Sequence, residues 1–253
     1  MSPQGSRGRV DSGVALLAES GNRQYGVLVH EIAMASEVLE AVAARDSRRR
    51  ILENLDPRRT AHIVVDLQHG FLAPGAAVEV EFAREIVGAV NDVSRALRAA
   101  GGVNVFLRMN LATDAYATWR SFSDHLGDPA EAERVRATFT PGSEGFELWG
   151  DLDVAPEDLI VDKTRFGAFV PGASDLHELL QERDIDTLII SGTLTNVCCE
   201  STARDAMQMD YRVLFLADAT ATLSDAVHNA TLNNMAMIFA TVVWTKELLD
   251  ALV

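Results

Sequence analysis

The chain has 253 residues, 37 acidic against 22 basic side chains, and a formal net charge of −15. That acidity argues against nucleic acid and anionic membranes as partners, and it places no limit on the fold. No apolar run approaches the roughly 20 residues that cross a bilayer, and the first thirteen residues, MSPQGSRGRVDSG, contain no apolar stretch of the kind that opens a secretory signal.

In chain order, residues 1–13 read as disordered on composition. Residues 27–55 read as one helix, with apolar residues spaced by three and four. This helix is expected to cover an edge of the fold or to swap onto a neighbouring subunit. After Pro57 the β-branched run Ala61–Val65 reads as a strand, then Val80–Ala100 as a helix closed by Gly101 and Gly102. Strands follow at 103–109, 158–161, 187–191, 211–217 and 241–244. Helices are predicted at 174–184, 198–210, 224–239 and 246–252. The stretch 110–157 reads as irregular, a long segment of the kind that carries substrate-binding elements. Strands alternating with helices of this length imply βαβ units, a mainly parallel sheet and helices on both faces.

In such sheets the chemistry gathers beyond the carboxyl ends of the strands. Asp66, Asn110, Lys163, Cys198 and Asp218 all follow predicted strands. Cys198 and Cys199 are the only cysteines, and adjacent cysteines are poorly placed for an intrachain disulfide. Free thiols suit a reducing, cytoplasmic setting. Both cysteines sit at a predicted helix start, where unpaired N–H groups and the helix dipole favour a thiolate. An acid, a lysine and a thiol on one rim would make a nucleophilic set. Histidine is the commoner partner of a reactive cysteine, and His69 is the nearest candidate. The remaining histidines, His62 and His228 among them, read as helix-face or loop residues. The aromatic side chains Phe71, Tyr116, Trp119, Trp149, Phe166 and Phe169, with Asn110, are candidates for the pocket wall. Arg204 and Asp205 are expected to form a structural ion pair.

Three stretches say more: HIVVDLQHGFLAPG, VDKTRFGAFVPGASDLHELLQERDIDTLIISG and GTLTNVCCESTARDAMQMDYRVLFLADATAT. On these motifs the chain, over roughly residues 59–253, resembles the isochorismatase-like cysteine hydrolase superfamily. Within it, the motifs are most similar to ureidoacrylate and carbamoyl amidohydrolases. The resemblance implies a three-layer α/β/α domain at 59–253 with about six mainly parallel strands, preceded by an extension at 1–58. It implies a catalytic triad of Asp66, Lys163 and Cys198, with Cys199 a packing neighbour. It implies a cis peptide at Thr193–Leu194 and an oxyanion hole built from the backbone N–H groups of Leu194 and Cys198. The implied reaction is hydrolysis of a small amide, ureido or carbamoyl substrate by water through a thioester, without a cofactor, in a dimer or tetramer. Members that act on nicotinamide carry an Asp-x-His pair and a further metal-binding histidine. RMNLATDAY lacks that pair, so no metal is expected. True isochorismatases lack the nucleophilic cysteine. The competing readings are an isochorismatase-type or nicotinamidase-like hydrolase, a binding module that has lost its triad, and a redox thiol protein.

Overall fold

The structure is a computed structural model that describes residues 30–45 and 47–252. The disorder expected at 1–13 and the start of the helix expected at 27 lie outside the described residues. Six strands, β1 (Thr60–Val65), β2 (Val103–Met109), β3 (Leu159–Lys163), β4 (Thr187–Thr193), β5 (Arg212–Ala221) and β6 (Thr241–Val243), form one parallel sheet. Their order is β3-β2-β1-β4-β5-β6. Every residue of β1 and of β4 is buried. Strands covered on both faces carry no alternation, which is why TAHIVV and TLIISGT read as nearly unbroken apolar or small-residue runs.

The α-helices of five or more residues are α1 (Ser36–Ala43), α2 (Ser47–Glu53), α3 (Val87–Ala99), α4 (Thr113–Ala117), α5 (Arg120–Leu126), α6 (Pro129–Thr138), α7 (Leu176–Gln181), α8 (Glu200–Gln208), α9 (Asp225–Asn234) and α10 (Thr245–Ala251). The predicted three-layer α/β/α architecture is the one observed. Helix α3 buries Val87, Val90, Val93, Ser94 and Leu97, a stripe spaced by three and four. Gly101, at φ 90°, ends it: its N–H bonds to Arg98 O and that of Gly102 to Leu97 O. Among the described residues, no helix is long and apolar enough to cross a membrane.

Several expectations need correction. The helix expected from Val80 begins only at Val87. The Val80 N–H bonds to Phe71 O, and Arg84 reaches Leu72 O and Glu79, so this stretch is tied across the molecule instead of coiling. The supposedly irregular 110–157 contains α4, α5 and α6. The single helix expected at 27–55 is two short ones, α1 and α2, preceded by extended chain from His30. Asp218 does not follow a strand. It lies inside β5 and accepts from both the backbone N–H and the hydroxyl of Thr245, fixing the start of α10. Arg204 pairs with Glu200 at 2.6 Å and not with Asp205.

The extended chain before α1 is tied to α9. His30 is buried, stacked between Phe82 and His228, with Nδ1 2.7 Å from Asp225 and Nε2 accepting from the Thr222 N–H. The Ala33 and Ala35 N–H groups donate to Asn229 and Asn233. Helix α2 lies against the edge strand β6 and against α10.

Two further histidines are core residues and not surface ones. His62 sits in β1 between the hydroxyls of Ser94 and Ser191, and His228 bonds Thr195 and Ala217 O. Burial pulls both down from the ordinary 6.5 to about 3. Below pH 6.5 the unfolded chain takes up protons that these buried rings refuse, so stability falls as pH drops from 6.5 toward 3. Urea unfolding at pH 7 and pH 4.5 should show a loss of up to roughly 5 kcal/mol from the two together. A flat profile across that window would mean that the rings are accessible to protons in the fold.

Candidate active site

The strand order reverses between β1 and β4. From β1 the chain steps outward to β2 and β3, and from β4 outward to β5 and β6. A crevice opens where neighbouring connections leave in opposite directions. Asp66 follows β1 and Cys198 follows β4, on either side of that crevice. Lys163 is the last residue of β3, paired in register with Met109 at the end of β2.

Close backbone packing at the switch point is set by Gly192. It pairs with Val65, takes φ 109°, and a Cβ there would lie 2.1 Å from Val65 O. No side chain fits, so β4 approaches β1 closely just before the cysteine turn. Asp66 itself takes a left-handed φ of 52°, rare for a non-glycine residue, which turns its side chain out of the strand's regular alternation. Its N–H bonds to Leu107 O. The next polar residue, Gln68, is buried and staples the rim. Its side-chain amide donates to Met109 O and Phe146 O, and its oxygen accepts from the Met109 N–H.

The three strand ends bring Asp66, Lys163 and Cys198 together. Lys163 Nζ lies 2.7 Å from Asp66 Oδ2, with both side chains at 0% exposure. The ammonium directs a hydrogen bond to Arg165 O at 3.2 Å. The aspartate oxygens are held by charge more than by directed hydrogen bonds, since neither has a protein donor in good geometry. Cys198 faces both groups and is buried, at 1% exposure. Burial pushes the Asp66 carboxyl above the ordinary carboxylate range, against the pull of Lys163. Burial also works against the Lys163 ammonium, but the attraction of Asp66 and Cys198 outweighs it and holds that pKa up.

The thiol differs from expectation. Cys198 does not open an α-helix. It lies in a π-helical turn, Thr195–Cys199, that feeds α8. Burial and the Asp66 charge raise its pKa far above that of a free thiol, against the opposing pull of Lys163. Burial thus favours the neutral thiol, and making a thiolate here calls for an adjacent base. Cys199 is fully buried, points at Ser191 O and is likewise raised by burial. Both cysteines are free. The Thr193–Leu194 peptide is cis, and the Leu194 carbonyl accepts from the Val197 and Cys199 N–H groups.

Cys198 opens onto a cavity of about 340 Å³. Of the predicted wall residues, Phe71, Trp119 and Phe166 line it. The others do not. Asn110 bonds Asp162 and the Ala112 N–H, Tyr116 packs against Phe122, Trp149 against His69, and Phe169 against Tyr211 and His177. His69, the nearest histidine candidate, is thus a ring neighbour of Trp149. Phe122, Leu126 and Phe139 complete much of the wall, and nothing in their spacing singles them out. The first two lie on or at the end of α5, within the stretch that reads as irregular. Among the described residues, no three His, Cys, Asp or Glu side chains converge as ligands for a metal ion.

Comparison with known proteins gives a consistent pattern. The Isochorismatase domain family matches residues 60–247. Ureidoacrylate amidohydrolase RutB of Caulobacter vibrioides is 30% identical over 207 residues, covering 76% of this chain and 91% of the relative. A cysteine hydrolase of Pseudomonas syringae superposes with a TM-score of 0.71 at 32% identity, over 78% of this chain and 94% of the other. N-carbamoylsarcosine amidase of Thermoplasma acidophilum shares the fold, with a TM-score of 0.61 at 22% identity, over 74% of this chain and 96% of that one.

Proposed function

The chain belongs to the isochorismatase family, and from that premise we propose that it is a cysteine amidohydrolase, cleaving a C–N bond of a small amide, ureido or carbamoyl substrate through a thioester acyl-enzyme. The observation that carries the reading is a buried Asp66–Lys163 pair, 2.7 Å apart, facing a cysteine that opens on a cavity. Similarity to a ureidoacrylate amidohydrolase favours C–N bonds among the hydrolytic chemistries.

In this mechanism Asp66 accepts the proton of Cys198, and the thiolate is held by the Lys163 ammonium. The sulfur attacks the substrate carbonyl. The oxyanion rests on the N–H groups of Leu194 and Cys198; the Leu194 N–H makes no hydrogen bond among the described residues. Asp66 returns its proton to the nitrogen as the C–N bond breaks, and ammonia or an amine leaves. Asp66 then takes a proton from water, whose oxygen attacks the thioester, and gives that proton back to the departing sulfur. Each cycle restores the neutral thiol and the ion pair. Burial, which raises the Asp66 pKa, favours the protonated acid from which the proton is returned to the nitrogen.

In this reading residues 59–253 form the hydrolase unit and 1–58 an extension, whose described part, from His30, packs on that unit. The two free thiols suit a cytoplasmic enzyme. Exposed Leu223, Val227, Met237 and Ile238 are apolar surface that favours a homo-oligomer. The test is ammonia release from a panel of primary amides and ureido acids, with intact-mass detection of an acyl adduct on Cys198 under slow turnover. Release of ammonia without any thiol adduct, from enzyme whose Cys198 has been alkylated, would sink the reading.

A further inference from the structure

The cavity beside Cys198 has an unusual feature for an enzyme of ureido or carbamoyl acids: among the described residues, no lysine or arginine lines it. Cations beside the wall are committed elsewhere, among them Arg134, which pairs with Glu131 at 2.8 Å and donates to Ala77 O. Lys163 is fully buried against Asp66. Arg165 lies over the Trp119 ring, 5.0 Å from its centroid, and donates to the Thr118 hydroxyl and to the Ala115 and Thr164 carbonyls. The one charged wall residue, Glu79, is neutralised by Arg84 at 2.8 Å and accepts from the Gly75 N–H. It calls for no cationic ligand either. The remaining wall is apolar. Trp119, Phe122 and Phe166 form one aromatic cluster, with centroids 4.6 to 5.4 Å apart, and the tilted rings of Phe71 and Phe139 lie 4.6 Å apart.

A carboxylate carried into such a wall would lose its hydration and gain no partner, whereas a ring or branched alkyl group would gain contact on every side. The volume, about 340 Å³, lies near the lower end of small-ligand sites, roughly 300–1,000 Å³. We infer that the substrate is an uncharged amide with an apolar, ring-sized body, and not an anionic ureido or carbamoyl acid. The inference rests on the amidohydrolase reading for its reaction and on the cavity wall alone for its specificity.

The test compares phenylacetamide with its carboxylated counterpart, 4-(carbamoylmethyl)benzoate, and with ureidoacrylate and N-carbamoylsarcosine. Two readouts are taken: kcat/KM with the unaltered enzyme, and Kd by calorimetry with Cys198→Ala, which needs no turnover. Phenylacetamide should exceed every anionic compound by about ten-fold or more in both. Phe122→Arg, at a half-buried wall position, should narrow or reverse the ratio. Cys198-dependent hydrolysis of an anionic acid at a rate equal to or above that of phenylacetamide would overturn the inference and leave the amidohydrolase reading standing. Ten-fold tighter binding of phenylacetamide with no Cys198-dependent hydrolysis of any of the four compounds would sink the amidohydrolase reading and bear out only the specificity of the wall. Failure of phenylacetamide to bind at all would overturn the inference.

Discussion

Replacing Cys198 by alanine is expected to lower kcat/KM about 10⁴-fold or more, whereas Cys199→Ala stays within about three-fold of the parent. The asymmetry follows from where the two sulfurs point. Cys198 faces Asp66 and Lys163 and opens on the cavity, so its sulfur has a base, a cation and a place for a carbonyl. Cys199 is packed against Ser191 O with no exposure, and its loss leaves only a small void. The cost of that void should be about 1 kcal/mol of stability. Ammonia release by the two variants on one substrate, with thermal melts as a folding control, checks the expectation. If the activity loss falls on Cys199→Ala, the nucleophile has been assigned to the wrong sulfur. If both variants remain active, no thioester forms.

The second large effect concerns Lys163. Lys163→Met fits the buried space but removes the cation paired with Asp66. Breaking one half of a buried pair costs about 3–5 kcal/mol, because the remaining charge has neither water nor partner. Asp66 already titrates above its ordinary range through burial, and loss of the ammonium would raise it further. The folded state then prefers the protonated acid. The penalty is therefore absent below the unfolded carboxyl pKa near 3.8 and grows as pH rises toward the new folded value. Urea midpoints should separate more at pH 8 than at pH 5. Activity should be lost at both, since no ammonium remains beside Cys198 to hold the thiolate. Asp66→Asn with Lys163→Met should recover most of the stability at pH 8 and none of the turnover. A Lys163→Met variant that unfolds at the parent midpoint at pH 8 would show that the ion pair is not what stabilises the buried aspartate.

The parallel sheet is legible in the sequence because its central strands are buried on both faces, so TAHIVV and TLIISGT stand out as strand-length apolar runs between helical spacings. The rim positions Asp66, Lys163 and Cys198 follow from strand ends and motifs. The pocket is less legible. Its wall comes from α5, α6 and nearby loops, whose apolar residues face a cavity instead of the main core, so no strong amphipathic stripe marks them. One local signal does announce α6: Asp128 followed by Pro129, a helix cap with proline in the first turn. Aromatic type alone misleads, since Phe169 and Trp149 are as apolar as Phe166 but pack on Tyr211 and His69. Nor can spacing foresee the elevated thiol. The expected helix-start effect presumes solvent access that Cys198, at 1% exposure, does not have.

The tie between His30 and α9 alters where this molecule begins as a cooperative unit. The family match starts at residue 60, yet the ring of His30 fills the space between Phe82 and His228 and satisfies the Thr222 N–H. His228 in turn bonds Thr195, the first residue of the turn that carries Cys198. A chain trimmed to the homologous boundary would uncover an imidazole and a phenyl face and orphan a buried amide one hydrogen bond away from the cysteine turn. Homology here marks what was inherited in common; the packed unit, among the described residues, reaches upstream to His30.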